Sequence, residues 1–247
     1  MAESRKMRLD QLLVERGLVD SRSRAQAIIL AGKVLVGEQR IDKAGTRVRV
    51  DAAVRIKEAD HPYVSRGGVK LAGALRAFQL AVRDVVALDV GASTGGFTDC
   101  LLSHGASKVY ALDVGRSQLH NRLLQDPRVV SMPGINVRLL GPQDLPELVD
   151  VAVFDLSFIS LKLVLPPVLP HVKSGGRLLL LVKPQFEVGK GQVGKGGIVR
   201  DESLRLQALE DIAGFARTLG LAERGRAVSC LPGTDGNIEF FLYLMKP

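Results

Sequence analysis

The sequence predicts an α/β fold with a doubly wound, Rossmann-like sheet and a small α+β module in front of it. From Val85 onward, apolar runs of strand length alternate with helical patterns, which is typical of a parallel sheet covered on both faces. One run ends in an acid and a glycine-rich turn within 88–98, and a helical pattern follows directly. The residues before about position 58 instead show two short helical patterns followed by short alternating stretches. We therefore predict two domains, 1–60 and 61–247, with a linker at about 58–64.

The N-terminal module is predicted to contain two helices and several short strands. Apolar spacing indicates a first helix over 9–16 that ends at Gly17. A second helix is predicted over Arg22–Leu30, with Ser21 or Ser23 as its N-cap. Short alternating stretches predict strands over 34–36, 47–50 and 54–57.

The C-terminal domain is predicted to contain seven strands and five helices. The strands are predicted over 85–90, 108–113, 128–131, 150–155, 177–183, 223–229 and 238–244. The helices are predicted over 66–79, 96–104, 117–125, 159–172 and 202–219. Their alternation predicts that the ends of the strands meet at one edge of the sheet, where ligands bind in folds of this class.

The charge of the chain indicates the kind of partner. It has 247 residues and a net charge of +8, with an isoelectric point near 9.7. Residues 1–60, about a quarter of the chain, carry half of that net charge. Such a balance favours a polyanionic partner, with the N-terminal module as the denser source of charge.

Several classes of protein are disfavoured. Two cysteines give no disulfide framework, and Cys100 is expected as a buried reduced thiol. The N-terminus lacks the apolar core of a signal peptide, and no apolar run reaches the roughly 18 residues of a membrane-spanning helix. The four histidines show no metal-ligand spacing. We therefore expect a cytoplasmic protein without a membrane or metal partner, and its oligomeric state stays open.

The glycine turn is the most informative motif. Its glycines fall at 91, 95 and 96, so the dinucleotide pattern G-x-G-x-x-G is broken. The order D-x-G-x-x-x-G-G resembles motif I of the S-adenosyl-L-methionine-dependent methyltransferases, although a tight turn without a ligand is the alternative interpretation. The residues expected around this cofactor are Asp89, Gly91, Ser93, Thr94, Gly95, Gly96, Phe97, Asp113, Val114, Asn136 and Asp155.

Three polar residues end predicted strands. Asp113 lies 18 positions beyond Gly95, where an acid can accept both ribose hydroxyls of a nicotinamide or an adenosylmethionine cofactor. Asp155 ends the fourth predicted strand, at the edge where ligands bind, although an acid there could instead cap the next helix. Lys183 ends a strongly apolar strand, where a lysine can act as a base or orient a hydroxyl, or can be an ordinary surface lysine.

The loop over 189–197 resembles a phosphate-binding loop in part. It satisfies G-x-x-x-x-G-K, but Gly196 replaces the Ser or Thr that would hold magnesium. No helix is predicted to begin directly after Lys195. We therefore interpret this segment as a mobile basic loop and not as an ATP site.

The N-terminal module resembles the αL-type RNA-binding domain that is named after a small-subunit ribosomal protein. The matching segments are Arg8–Leu13, Ser21–Ile29 and Ala31–Val36. The resemblance implies binding to the backbone of structured RNA. The residues expected to contact RNA are Arg8, Arg22, Arg24, Lys33 and, from the second domain, Arg66. The alternative is a solvated basic face.

Lys70, Asp155, Lys183 and Glu239 lie on separate predicted elements, and their order resembles the Lys-Asp-Lys-Glu tetrad of FtsJ-like ribose 2′-O-methyltransferases. The segments Ser65–Leu71, Asp155–Ser160, Val182–Glu187 and Gly236–Glu239 resemble the TlyA family. Two segments, Arg116–His120 and Ser229–Asp235, depart from that pattern, and the first leaves details of the cofactor pocket or of the RNA side open.

The resemblance implies transfer of a methyl group from S-adenosyl-L-methionine to a ribose 2′-hydroxyl of ribosomal RNA, at cytidine, on assembled ribosomal subunits. Lys183 would act as base or only orient the hydroxyl, Asp155 and Glu239 would hold the lysines, and Lys70 would position the ribose or a phosphate. The alternatives are a non-catalytic RNA-binding or ribosome assembly factor, a membrane-active haemolysin, a label that TlyA-like proteins have carried, and a dehydrogenase.

Overall fold

The computed structural model describes residues 5–19, 21–56, 61–233 and 235–247. The chain forms two compact units, Met1–Asp60 and His61–Pro247. Each unit has an apolar core of its own. Of the predicted linker at 58–64, the part up to Asp60 lies outside the described residues.

The N-terminal unit packs two helices against short antiparallel strands. Its elements are β1 (Lys6–Arg8), α1 (Leu9–Glu15), α2 (Arg22–Leu30), β2 (Val34–Val36), β3 (Gln39–Ile41), β4 (Arg47–Arg49) and β5 (Val54–Ile56). Strand β1 pairs with β4, and β3, β2 and β5 form a second small sheet. The core is made by Leu9, Leu12, Leu13, Ala25, Ile29, Val34 and Val48.

The second helix of this unit has the predicted bounds. Ser21 is its N-cap, and its hydroxyl accepts a hydrogen bond from the backbone N–H of Arg24 at 3.2 Å. Strand β1 is not predicted, because three residues are too few to show an alternating pattern and the strand depends on pairing with β4.

The C-terminal unit is built on one seven-stranded sheet. Its strands are β6 (Val86–Val90), β7 (Lys108–Asp113), β8 (Val129–Pro133), β9 (Val149–Phe154), β10 (Val172–Val182), β11 (Ala222–Val228) and β12 (Phe240–Met245). Their order across the sheet is β11-β12-β10-β9-β6-β7-β8. The five strands from β10 to β8 are parallel, whereas β12 pairs antiparallel with both of its neighbours, β10 and β11. The expectation of a parallel sheet is therefore wrong for β12, which runs opposite to the other six strands.

Helices cover both faces of this sheet. The helices are α3 (Arg66–Ala77), α4 (Gly96–Ser103), α5 (Asn121–Leu124), α6 (Leu165–Val168), α7 (Pro184–Glu187) and α8 (Glu202–Thr218). Apolar residues of α3, α4 and α5 contribute to one core layer, and those of α6 and α8 contribute to the other. This two-sided burial explains why the central strands read as continuous apolar runs.

Two predicted helices are shorter than expected. The helix predicted over 159–172 is a helix α6 between two 3₁₀ turns, because Pro166, Pro167 and Pro170 supply no backbone N–H to a continuous helix. The helix predicted over 117–125 is reduced to α5. Ser117, at its expected start, has a φ of +59° and so lies outside the helical region.

A buried carboxylate joins β6 to α4. Asp89 Oδ2 accepts hydrogen bonds from the backbone N–H of Thr98 at 2.9 Å and from its hydroxyl at 2.7 Å. Asp89 Oδ1 has no partner among the described residues. Burial raises the pKa of Asp89 to about 7 against the opposing Thr98 hydrogen bonds, and the charges of Asp155 and Asp113 add to the rise.

This carboxylate makes stability depend on pH. Since the folded state raises the Asp89 pKa from 3.8 to about 7, its contribution to stability is lost as the pH rises through that interval. We expect Asp89→Asn to flatten the fall in unfolding free energy between pH 5 and pH 7, by at most about 1.4 kcal/mol per pH unit. Urea unfolding across this range measures it.

The matched control is Asp211→Asn, which removes an exposed carboxylate from α8. This control should keep the pH dependence of the wild-type protein. Parallel pH curves for wild type and Asp89→Asn would show that the buried carboxyl does not titrate in this range.

Candidate active site

Two neighbouring cavities lie where the parallel strands end, and they share Ala92 and Ser93 of the glycine turn. The larger has a volume of about 390 Å³ and the smaller about 160 Å³. The larger is lined by Ala92, Ser93, Ala111, Asp113, Gly115, Ser117, Gln118, Leu119, Asn121, Leu124, Ser131 and Pro133. The smaller is lined by Ser65, Gly67, Gly91, Ala92, Ser93, Thr94, Gly96, Phe97, Asp155, Ser157 and Lys183.

The glycine turn brings two strand ends close together. Gly91 follows β6 with a φ of +89°, and a Cβ atom there would lie 2.7 Å from the backbone oxygen of Asp155. A side chain at this position would therefore push the end of β9 away from the turn. The backbone N–H groups of Gly91 and Ala92 both donate to Leu112 O, at 2.9 and 3.0 Å, which ties the turn to β7.

Asp113 anchors the wall of the larger cavity. Its Oδ2 accepts a hydrogen bond from the backbone N–H of Ser93 at 2.7 Å, and its Oδ1 accepts one from Gly115 at 2.7 Å. One carboxylate thus joins the glycine turn to the loop after β7. The lining of this cavity includes both polar and apolar side chains, which suits a ligand with both a polar and an apolar part.

The smaller cavity lies between the starts of two helices. Ser65 is the N-cap residue of α3, and Gly96 is the first residue of α4. A Cβ atom on Gly96 would lie 2.1 Å from Ser65 Oγ, so the two helix starts approach at a distance that only glycine permits. Phe97 contributes its side chain to the cavity lining and to the apolar core beneath.

An ion pair lines the same cavity. Lys183 Nζ lies 2.7 Å from Asp155 Oδ1 and donates a hydrogen bond to Ser157 Oγ at 3.1 Å. The Phe186 ring centroid is 6.0 Å from Nζ. Strand β10 places Lys183 and strand β9 places Asp155, because these neighbouring parallel strands end at the same edge.

A second ion pair is buried. Lys70 Nζ lies 2.6 Å from Glu239 Oε2, and neither side chain is among those that line the two cavities. Lys70 comes from α3, one helical turn after Gly67 of the smaller cavity. Glu239 directly precedes β12, whose Phe240 pairs with Val182 of β10. The four residues of the predicted tetrad therefore form two ion pairs, one in the cavity and one in the interior.

The loop over 157–160 is held at both ends, at Ser157 by the hydrogen bond from Lys183 and at Ser160 by Glu187. Glu187 of α7 accepts hydrogen bonds from Ser160 Oγ at 2.6 Å and from the backbone N–H of Leu161 at 3.0 Å. Burial raises the pKa of this carboxyl against both hydrogen bonds. Phe158 lies between Ser157 and Ser160 and is 91% exposed. Its backbone φ is +65°. Its ring lies 5.1 Å from that of Phe186.

The structure separates three predicted cofactor residues from the cavity walls. Asp89 is buried beneath the turn, and Val114 is 72% exposed without lining either cavity. The Asn136 side chain caps a 3₁₀ turn by accepting a hydrogen bond from the backbone N–H of Arg138 at 3.1 Å. The other predicted cofactor residues, among them Thr94 and Gly95, belong to the turn or to the cavity walls.

Sequence reasoning missed several lining residues. Ser65 and Ser157 are each within a segment that was matched to the family, but no spacing rule singles out their hydroxyls. Gln118 lies in the segment that departs from the family pattern and Asn121 directly follows that segment, and both line the larger cavity. Their position directly after the Asp113 strand is the signal that could have found them.

The predicted RNA-contacting residues lie in both units. In the first unit, Arg8 and Arg22 both contact the carboxylate of Asp10, and Arg24 and Lys33 are exposed. In the second unit, Arg66 donates a hydrogen bond to Pro232 O at 3.1 Å. The structure therefore brings two of the predicted basic residues to one point.

Metal-binding clusters and membrane-spanning helices are both absent from the described part of the chain. No group of three or more His, Cys, Asp or Glu residues there could hold a metal ion. No helix there is both long enough and apolar enough to span a bilayer. The basic loop at 189–197 contains one 3₁₀ turn, Lys190–Gln192.

Family models match both parts of the chain. The FtsJ-like methyltransferase model matches residues 63–246, and the S4 domain model matches residues 7–54. A relative named 16S/23S rRNA (cytidine-2′-O)-methyltransferase TlyA, from Mycobacterium tuberculosis (strain ATCC 25618 / H37Rv), is 46% identical over 242 residues. That match covers 98% of this chain and 90% of the relative.

Solved structures agree with this assignment. A protein from Streptococcus thermophilus that carries a hemolysin name is 42% identical with a TM-score of 0.77, covering 99% of this chain and 90% of its own. An S-adenosylmethionine dependent methyltransferase from Mesorhizobium loti shares the fold alone, at 16% identity and a TM-score of 0.52 over 72% of this chain and 98% of its own. The predicted methyltransferase fold is confirmed, and the dehydrogenase alternative is wrong. The chain belongs to the TlyA family, which joins an S4 domain to an FtsJ-like methyltransferase domain.

Proposed function

We propose that this protein transfers a methyl group from S-adenosyl-L-methionine to the ribose 2′-hydroxyl of a cytidine in ribosomal RNA. The observation that carries the proposal is the Lys183–Asp155 ion pair in a cavity that shares the glycine turn with a larger one. The name of the 46% identical relative supports the reaction and the nucleotide. The ribosome as target supports a cytoplasmic site of action.

The residues present fit the cofactor. The larger cavity has the Asp113 carboxylate beside several polar side chains, which suits a nucleoside. The smaller one, joined to it through Ala92 and Ser93, offers backbone N–H groups at the start of α4 and the Ser65 hydroxyl, which suits the amino-acid part. When bound, S-adenosyl-L-methionine supplies an electrophilic methyl group on a sulfonium.

Lys183 is positioned to orient the accepting hydroxyl. An ammonium has three N–H donors. In this structure Asp155 and Ser157 lie within hydrogen-bond distance of Nζ, which leaves one N–H direction for a substrate oxygen. Both neighbours therefore favour Lys183 as a protonated donor that fixes the 2′-oxygen for attack on the methyl group.

Lys70 and Glu239 act as positioning residues in this proposal. Their ion pair joins α3, which carries Ser65 and Gly67 at its start, to the chain segment that precedes β12. Because both charges are buried, each depends on the other for its stabilisation. The pair thereby holds the start of α3 against the edge where Lys183 emerges.

The RNA side of the site has an aromatic platform. Phe158 is exposed beside the Lys183 cavity and rests against Phe186, so its free face can stack on a base of the target strand. The S4 domain supplies a second RNA-binding unit at the other end of the chain. We propose assembled ribosomal subunits as the substrate, because a basic domain that binds RNA backbone recognises folded RNA.

Label transfer from radioactive S-adenosyl-L-methionine to purified ribosomal subunits tests the function. We expect labelled 2′-O-methylcytidine after digestion of the RNA to nucleosides. Label on a base or on protein would contradict the proposed reaction. If subunits purified without the modification acquire no label, the protein is better explained as a non-catalytic assembly factor.

Replacement of Lys183 should remove catalysis without removing cofactor binding. We expect Lys183→Ala to lower kcat by about a hundredfold or more, because the hydroxyl loses its orienting donor. Ser157→Ala should cost less, roughly tenfold, since it removes one hydrogen bond to a charged group. Single-turnover methylation measures both, with calorimetry of S-adenosyl-L-methionine binding as the control. Near wild-type turnover of Lys183→Ala would end this assignment.

Replacement of Asp113 should weaken cofactor binding. Asp113→Ala removes the acceptor for the Ser93 and Gly115 N–H groups as well as a wall of the larger cavity, so we expect affinity for S-adenosyl-L-methionine to fall at least about tenfold. Asp126→Ala is the matched control, because that residue pairs with Arg128 and lines neither cavity. Calorimetry that gives equal affinities for both variants would remove Asp113 from the site.

Variants of the buried Lys70–Glu239 ion pair should affect stability and catalysis differently. Lys70→Met or Glu239→Leu alone should destabilise the unit by about 3–5 kcal/mol, because each leaves one buried charge unpaired. The double variant should recover most of the unfolding free energy and remain inactive. Chemical unfolding and methylation assays on the three variants measure this. A stable double variant with wild-type activity would show that the pair is only structural.

A further inference from the structure

Asp10 is a buried carboxylate of α1 that accepts hydrogen bonds from side chains of β1 and α2 in the N-terminal unit. Its Oδ1 accepts hydrogen bonds from Arg8 Nε and from the backbone N–H of Gln11, both at 3.0 Å. Its Oδ2 accepts from Arg8 Nη2 and Arg22 Nε at 3.0 Å and from Gln26 Nε2 at 3.1 Å. The Asp10 side chain is fully buried, so its position is fixed by these five donors.

The two arginines belong to different elements. Arg8 ends β1, and Arg22 begins α2. Their side chains remain 40% and 51% exposed while both guanidinium groups contact the same carboxylate. Asp10 therefore sets the distance and orientation between two cationic groups on one surface.

The cluster keeps donors for a further anion. A guanidinium has five N–H groups, and the contacts to Asp10 use only Nε and Nη2 of Arg8 and Nε of Arg22. The hydrogen bonds from Arg8, with smaller contributions from Gln26 and Arg22, hold the pKa of Asp10 well below its usual range against the effect of burial. Asp10 thus stays charged at neutral pH, and the three groups together carry one net positive charge.

We infer that Asp10 is a positioning residue that pre-organises Arg8 and Arg22 as a two-armed clamp for an RNA phosphate. This inference rests on the proposed function, in which the S4 domain binds ribosomal RNA. Planar guanidinium forks bind phosphate oxygens in pairs, and holding them in place beforehand reduces the entropy lost on binding.

Orientation and net charge predict effects of opposite sign. Asp10→Asn removes a negative charge from a basic surface, so long-range attraction alone would tighten binding to RNA. If Asp10 positions the arginines, the same change weakens binding, because an amide offers one acceptor oxygen where the carboxylate offers two. The sign of the change therefore separates the two accounts.

The chain offers a matched control in the same unit. Arg49 and Asp51 form a two-pronged pair at 2.9 and 2.6 Å, and both side chains are 60% exposed. Asp51→Asn removes the same charge and the same type of pair but no buried anchor. This control should change RNA affinity by less than about twofold.

The experiment measures binding of the full-length protein to purified ribosomal subunits between 50 and 300 mM KCl. We expect Asp10→Asn to raise Kd about fivefold or more and to reduce the slope of log Kd against log salt by about one to two. Arg8→Gln with Arg22→Gln should weaken binding at least as much. Adding Asp10→Asn to that double variant should have little further effect, because all three residues act as one unit.

A second, milder variant tests the same inference in case Asp10→Asn unfolds the N-terminal unit. Arg22→Lys changes a half-exposed residue, keeps the charge and loses the planar fork, so it should still raise Kd about threefold or more. Thermal unfolding of every variant identifies the temperature at which all are folded and binding is compared.

The outcomes distinguish this inference from the function on which it rests. If the double arginine variant binds subunits as the wild type does, this surface has no role in RNA binding and the proposed role of the S4 domain fails with it. If the arginine variants weaken binding but Asp10→Asn tightens it or leaves it unchanged, Asp10 is not a positioning residue. The methylation assay stands independently of both results.

Discussion

The close approach of the Gly91 backbone to the Asp155 carbonyl is the constraint on which the candidate site depends. It brings the ends of β6 and β9 together, so that the glycine turn and the Asp155–Lys183 pair border one cavity. Any side chain at position 91 would meet that oxygen at 2.7 Å. The same turn is fixed from the other side by Asp113, whose carboxylate accepts the Ser93 N–H. One backbone contact and one hydrogen bond therefore define the boundary that both cavities share.

Buried charges in this protein are each tied to more than one element. Asp89 joins β6 to α4, Asp10 joins two helices and a strand, and Lys70 with Glu239 joins α3 to the start of β12. Burial of a charge is unfavourable unless hydrogen bonds or a partner compensate for it. Such groups add little to stability by themselves, but they restrict how the elements around the site can be arranged.

The predicted elements agree with the structure where local patterns are long. Helix α2 has its predicted bounds, and α8 begins as predicted because Asp201 caps its first turn. The helix predicted over 159–172 is interrupted, because three prolines in this segment break the backbone hydrogen bonding that apolar spacing alone does not reveal. The antiparallel direction of β12 could not be predicted, because an apolar strand has the same pattern in either direction.

Residue order over short segments was sufficient to predict the family, the glycine turn and the four residues of the candidate tetrad. The pairing within this candidate tetrad follows from tertiary packing. The fold divides the four charges into a Lys183–Asp155 pair that lines a cavity and a Lys70–Glu239 pair in the interior, which depends on strand register and on the position of α3. It also decided that Arg8 and Arg22 meet at Asp10, since contacts between residues distant in the chain follow from packing and not from local pattern.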